Sequence, residues 1–204
     1  VRGLQYIRNR ASDFNISKEN VVLNGTSAGA GTSFWIAVND DMADPSEDDP
    51  VQRESTRVKG CVIWQTQASY DVEKWVDDVF VDYGTTFEDL LEVDVNPTIW
   101  QFYGLPSMSR YNTPEVDAYR AKVDMLTLLS PDDPEIWAAN LLTPVEPPTT
   151  QPIAHHHAYH VRTIKHWADS IGVANVCYYG NDPVLYEDPS GETSVQYALR
   201  KLQE

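Results

Sequence analysis

An α/β fold, with a mostly parallel sheet flanked by helices, is what the sequence predicts, and three observations carry that expectation. Short apolar runs suited to buried strands, at 21–23, 58–65 and 173–179, alternate with stretches of helical period. One glycine-bearing turn, Gly25-Thr26-Ser27-Ala28-Gly29, joins the first of these runs directly to a helical run. The 204 residues are 42% hydrophobic, enough to fill one core, so a single domain over 1–204 is expected.

Each element follows from its spacing. Leu4, Ile7, Ala11 and Phe14 fall on one helical face, which places a helix over 4–14. A polar connection leads to the strand at 21–23, and the helix after the turn runs over 30–38. The segment 40–56 is an acidic, proline-containing loop. After the strand at 58–65, Val72, Trp75, Val76, Val79 and Phe80 lie at i, i+3, i+4, i+7 and i+8, an amphipathic helix. Residues 82–112 mix Gly, Pro and aromatic side chains without a period and read as a lid-like insertion. Thr113-Pro114 starts a helix that reaches about 129, with Thr as N-cap and Pro at the first helical position. A weak strand is expected over 136–145, then a stiff proline-rich loop. A helix over 156–171 is stopped by Gly172, and a last helix covers 192–202.

The charge balance, 15 Lys+Arg against 31 Asp+Glu, argues against nucleic acid and anionic membranes as partners. No apolar run is long enough for a transmembrane helix. The acidic clusters at 40–49 and 77–94 lack the central Gly and closing Glu of an EF-hand and read as solvated faces. Cys61 and Cys177 sit inside strand-like runs and read as buried thiols.

Strand, Gly-x-Ser-x-Gly and helix in that order form a nucleophile elbow. The sharp turn lifts the Ser27 hydroxyl out of the sheet's C-terminal edge. Small residues at 25 and 29 let strand and helix pass closely. The N–H of Ala28, at the helix N-terminus, faces a developing oxyanion. An ordinary βα phosphate turn is the competing reading, but no P-loop Lys and no G-x-G-x-x-G accompany it.

The run from Leu4 to Gly29 resembles the carboxylesterase and hormone-sensitive-lipase-like branches of the α/β-hydrolases. Further stretches, including Asp41-Met42-Ala43-Asp44-Pro45 and Gln65-Thr66-Gln67-Ala68-Ser69-Tyr70-Asp71, resemble a group of uncharacterised bacterial esterase-like proteins. His155-His156-His157-Ala158-Tyr159-His160 looks like that group's His-His-Pro-Arg-Phe-Gly, with His157 in place of Pro. The resemblance implies an α/β-hydrolase fold whose N-terminal strands and His-Gly-Gly oxyanion loop are missing here. On that expectation the chain exposes a sheet edge and is unstable or inactive alone.

The chain order for this fold is Ser, acid, His. The usual His after the last strand is absent, because that region reads Gly180-Asn181-Asp182-Pro183. His156, and next to it His155, are the candidate bases, placed at the start of a helix; helix capping is their bland alternative. Asp71, after the second strand, and Glu146, after the third, are the candidate acids, with Asp71 preferred. A zinc pair at His156 and His160, with His157, competes but has no assured third ligand. The expected function is cleavage of a carboxylic ester of a small molecule through an acyl-enzyme on Ser27, without cofactor. A non-catalytic hydrolase-fold scaffold and a prolyl-peptidase-like enzyme are the alternatives. Compartment and oligomeric state are left open.

Overall fold

The computed structural model describes residues 1–94, 98–141 and 146–204 (and only the backbone of Thr98). Two short helices, α1 (Arg2–Asn9) and α2 (Ala11–Phe14), precede strand β1 (Val22–Thr26) and helix α3 (Ala28–Ala37). Strand β2 (Gly60–Trp64) is followed by a π-helical turn (Trp75–Val79). Then come α4 (Phe87–Val93), α5 (Thr98–Phe102), α6 (Pro114–Val123) and α7 (Met125–Leu128). Strand β3 (Ile136–Asn140), helices α8 (Gln151–His156) and α9 (Ala158–Ile171), strand β4 (Asn175–Tyr179) and helix α10 (Ser194–Gln203) complete the order.

The four strands are parallel and lie in chain order, β1-β2-β3-β4. Parallel neighbours need crossovers, so helices cover the sheet and both faces of its inner strands are apolar. Cys61, Ile63, Ile136, Ala138 and Cys177 point to one face and meet Phe34 of α3, Trp75 and Val79 of the π-turn, and Val161, Ile164 and Ala168 of α9. Leu90, Ile99 and Tyr111, from the segment expected as a lid-like insertion, belong to this same core. Val62, Trp137, Ala139 and Val176 point the other way and are closed by Tyr197 of α10. Tyr197 is fully buried and its hydroxyl donates to the Glu135 carbonyl. Gly60 makes room for it: a Cβ there would lie 2.1 Å from that hydroxyl.

Four expected boundaries move. The helix at 4–14 breaks at Arg10. Inside α1, Arg8 is buried and donates to the carbonyls of Ser55 and Arg57, which docks the helix on the acidic loop through backbone oxygens. The amphipathic stretch at 72–80 winds as a π-turn, closed by the Phe80 N–H on the Trp75 carbonyl at 2.7 Å. The helix from 114 breaks at Asp124, whose carboxylate accepts from the Leu126 N–H and starts α7. Strand β3 ends at Asn140, and 142–145 of the expected strand lie outside the described residues.

Candidate active site

Ser27 joins β1 to α3 with φ 54° and ψ −122°, a conformation that non-glycine residues seldom adopt. The turn is possible because Gly25 has no side chain: a Cβ there would stand 2.3 Å from the backbone of Gly29. The matching argument for Gly29 does not hold. A Cβ at Gly29 meets nothing within 4 Å, because its outer side is open. Gly31, in the first turn of α3, is also tight: a Cβ there would lie 2.2 Å from the hydroxyl of Tyr70.

The Ser27 Oγ lies 2.8 Å from Nε2 of His156. On the far side of the ring, Nδ1 is 3.2 Å from the carbonyl of Pro152. A carbonyl can only accept, so Nδ1 carries the proton and Nε2 accepts from the serine hydroxyl. Burial holds the His156 pKa below its ordinary value, with the Pro152 carbonyl opposing, so the ring is neutral and basic at pH 7. Ala28 opens α3, where its N–H has no intrahelical acceptor, beside the serine.

The expected position of the histidines is corrected by one helix. His155 and His156 end α8 rather than start the following helix, and His157 caps α9. The proline-rich stretch hides α8: Thr150 is its N-cap and Pro152 stands in its first turn. The chain turns sharply at His157, and this break frees the last ring of α8 to face the elbow. His157 accepts from the Tyr159 N–H through Nδ1 (3.0 Å) and donates through Nε2 to the Glu146 carbonyl (2.9 Å). His160 accepts from the Ala68 N–H (3.2 Å) and donates to the Ala154 carbonyl (2.8 Å). Their ring nitrogens are therefore committed to the backbone, which argues against the zinc reading. Burial pushes His157 down to about 4 and His160 to about 3.

Neither expected carboxylate is hydrogen-bonded to His156. Asp71 is buried and its two oxygens take Nε and Nη2 of Arg120 at 2.9 and 3.2 Å, which ties the loop after β2 to α6. The Glu146 side chain is exposed, and its backbone oxygen serves His157. Among the described residues, the Pro152 carbonyl occupies the place on Nδ1 that an acid takes in a triad.

Two residues escaped the sequence reading. Asn140, fully buried at the end of β3, accepts from the Thr66 N–H (3.0 Å) and donates to the carbonyls of Thr66 (3.1 Å), His156 (3.4 Å) and His157 (2.9 Å). It fastens the α8–α9 break to the sheet edge, and so sets where His156 points. The signal was a lone amide closing an otherwise apolar strand. Gln67, also buried, donates to the His155 carbonyl at 2.7 Å and was likewise passed over.

A cleft of about 200 Å³ opens beside Ser27 and Ala28, walled by Tyr70, Val72, Trp75, Ile99 and Phe102, with Gln67 and His155 as its polar members. His155 stands edge-on to Trp75 at 5.3 Å, and burial lowers its pKa while the charge of Asp94 opposes. Among the described residues, no group of three or more His, Cys, Asp or Glu could hold a metal ion, and no helix is long and apolar enough to cross a membrane.

No family model matches the chain, and no curated protein matches it. Solved structures do match in fold. A truncated carbohydrate esterase from gut microbiota superposes with a TM-score of 0.58 at 14% identity, over 99% of this chain and 66% of its own. A bifunctional GH43-CE protein of Bacteroides eggerthii gives 0.54 at 12% identity, over 97% and 26%. An acetyl ester-xyloside bifunctional hydrolase of Caldicellulosiruptor lactoaceticus gives 0.53 at 14%, over 98% and 59%. The likeness is one of fold: a parallel sheet flanked by helices, shared with esterases. The chain spans less than two thirds of the length of each of these three structures.

Proposed function

We propose that this chain carries the nucleophile and base of a serine hydrolase of the α/β-hydrolase fold, acting on carboxylic esters. The observation that carries the reading is the 2.8 Å contact between Ser27 Oγ and His156 Nε2, made on a strained elbow that opens into a cleft. Ser27 Oγ attacks the ester carbonyl as His156 takes its proton. The carbonyl oxygen becomes an oxyanion beside the Ala28 N–H and the positive end of α3. The imidazolium, steadied through Nδ1–H by the Pro152 carbonyl, returns its proton to the departing alkoxide. That leaves an acyl group on Ser27. Water then attacks the acyl-enzyme by the same route, and the acid departs. The names of the structural neighbours support ester cleavage as the reaction class.

A second reading is favoured by one observation, the lack of a carboxylate on Nδ1 of His156 among the described residues. On that reading the chain is a hydrolase-fold scaffold without turnover. A fluorophosphonate probe separates the two. The resemblance implies an unstable or inactive chain, but with Ser27 and His156 already in contact we expect covalent labelling of Ser27, together with p-nitrophenyl acetate hydrolysis that is lost in Ser27→Ala. An unlabelled chain, or turnover that survives this substitution, overturns the first reading.

A further inference from the structure

Beyond the cleft at Ser27, a second groove runs along the same flank of α3. Ala28, Thr32 and Trp35 follow one another at i, i+4 and i+7 and form a stripe of about 10 Å. The groove measures about 370 Å³ and is lined by Thr32, Trp35, Tyr70, Phe102, Tyr119 and Lys122. Tyr70 and Phe102 belong to both openings. Their rings are 4.9 Å apart and tilted by 40°, a partition between an inner compartment at the serine and an outer one at Trp35.

Tyr70 is held in that place from both ends. Its hydroxyl donates to the Ala28 carbonyl at 3.1 Å, and its backbone oxygen accepts from the Tyr103 hydroxyl at 2.7 Å. The missing Cβ at Gly31 is what lets its ring lie against α3. Tyr119 and Phe102, by contrast, are 43% and 42% exposed, with rings 6.4 Å apart, so two aromatic faces stand open at the outer end.

We infer that the outer groove is a subsite for an uncharged aromatic ring carried on one arm of the ester. The inference rests on the proposed hydrolase reading of Ser27. A planar ring suits walls built of four aromatic side chains. A sugar needs free hydrogen-bonding groups beside the rings, and three of the five polar side chains here are committed to the backbone, leaving the Lys122 ammonium and the Tyr119 hydroxyl at the outer end. The Thr32 hydroxyl donates to the Ala28 carbonyl at 2.8 Å, and Trp35 Nε1 donates to the Lys122 carbonyl at 2.9 Å. The Tyr70 hydroxyl is spent on the same Ala28 carbonyl. The spacing along α3 asks for a ring several bonds from the reacting carbonyl.

The test compares esters matched in chemical reactivity. 3-Phenylpropyl acetate is set against propyl acetate, ethyl 4-phenylbutanoate against ethyl butanoate, and an O-acetylated xylopyranoside is run beside them. We expect kcat/KM to rise at least fivefold for the aromatic member of one pair and to exceed that of the sugar ester. In Tyr119→Ala that ratio falls about fivefold, through KM rather than kcat, the size expected for loss of one ring contact. Equal values within both pairs, a preference for the sugar ester, or an unchanged ratio in Tyr119→Ala overturns the subsite. Such results leave the Ser27 reading standing if Ser27→Ala still abolishes propyl acetate hydrolysis. If the chain hydrolyses none of these esters, 3-phenylpropan-1-ol is titrated by tryptophan fluorescence. Saturable binding weakened in Tyr119→Ala supports the subsite while the hydrolase reading fails, and no binding ends both.

Discussion

Pro152 and His156 face each other within one turn of α8, the carbonyl of the first accepting from Nδ1 of the second at 3.2 Å. On the proposed mechanism, and among the described residues, a backbone dipole stands behind the imidazole where a triad has a full negative charge. It fixes the tautomer as a carboxylate does, but it stabilises the imidazolium less. Burial already keeps the ring's pKa below 6.5. For a base that must be neutral, activity is lost as pH falls through that lowered pKa. We expect kcat/KM for p-nitrophenyl acetate to be flat above about pH 7 and to fall on an acid limb whose midpoint lies below the unperturbed value of about 6.5. His156→Ala is expected to lower kcat by on the order of a thousandfold. A midpoint above 6.5 would mean that an unseen negative charge reaches the ring.

Asp71 offers the complementary measurement. It and Arg120 form a largely buried pair, each side chain 12% exposed, and Glu73 also reaches the guanidinium. Replacing Asp71 with Asn leaves Arg120 with Glu73 as its main partner. A loss of about 2–4 kcal/mol in unfolding free energy is expected, read from urea titrations. The acid limb of the rate profile is expected to stay where it is. A thousandfold drop in kcat with an intact urea midpoint would instead make Asp71 the acid of a triad.

The two elbow glycines are expected to respond in opposite ways. Gly25→Ala drives a methyl group to 2.3 Å from backbone atoms of α3, which cannot yield as a flexible side chain can. A loss of about 3 kcal/mol or more, or failure to fold, is expected. Gly29→Ala meets open space inside a helix, so stability should stay within about 1 kcal/mol of the parent or rise slightly. Thermal melts of the two variants decide this.

His157 and His160 make stability depend on pH. Both are fully buried and neutral, with pKa values near 4 and 3 against about 6.5 in the unfolded chain. Below 6.5 the unfolded state binds protons that the folded state refuses. Stability therefore falls as pH drops from about 6.5 towards 4, by up to about 1.4 kcal/mol per pH unit for each ring. His157→Asn keeps an N-cap acceptor for the Tyr159 N–H while removing one titrating group. His160 keeps titrating, as do His155 and His156, which burial also lowers, so the variant's urea midpoint between about pH 6.5 and 4.5 should decline less steeply than the parent's. An identical slope would place the proton uptake elsewhere.

Local features were legible in the sequence, and long-range ones were not. The strand–turn–helix around Ser27 is written in eleven adjacent residues, and the structure reproduces it. The helix α8 carried the same signal used at Thr113-Pro114, an N-cap Thr with Pro in the first turn, but the surrounding prolines masked it. The pairing of Asp71 with Arg120 joins positions far apart in the chain, and no spacing rule reaches that far. The choice between His155 and His156 depended on the angle at which α8 ends. That angle is set by Asn140, on a strand whose end was misjudged.

The arrangement of the strands has one more consequence. Val22 pairs with Gly60 across a connection closed by α3, and Ile136 pairs with Asn175 across one closed by α8 and α9. Between these two small units lies the longest excursion of the chain, from Trp64 to Ile136. The serine belongs to the first unit and the imidazole to the second. During refolding, hydrolytic turnover should therefore lag behind the appearance of helical signal, because it requires both units to be in place on one sheet.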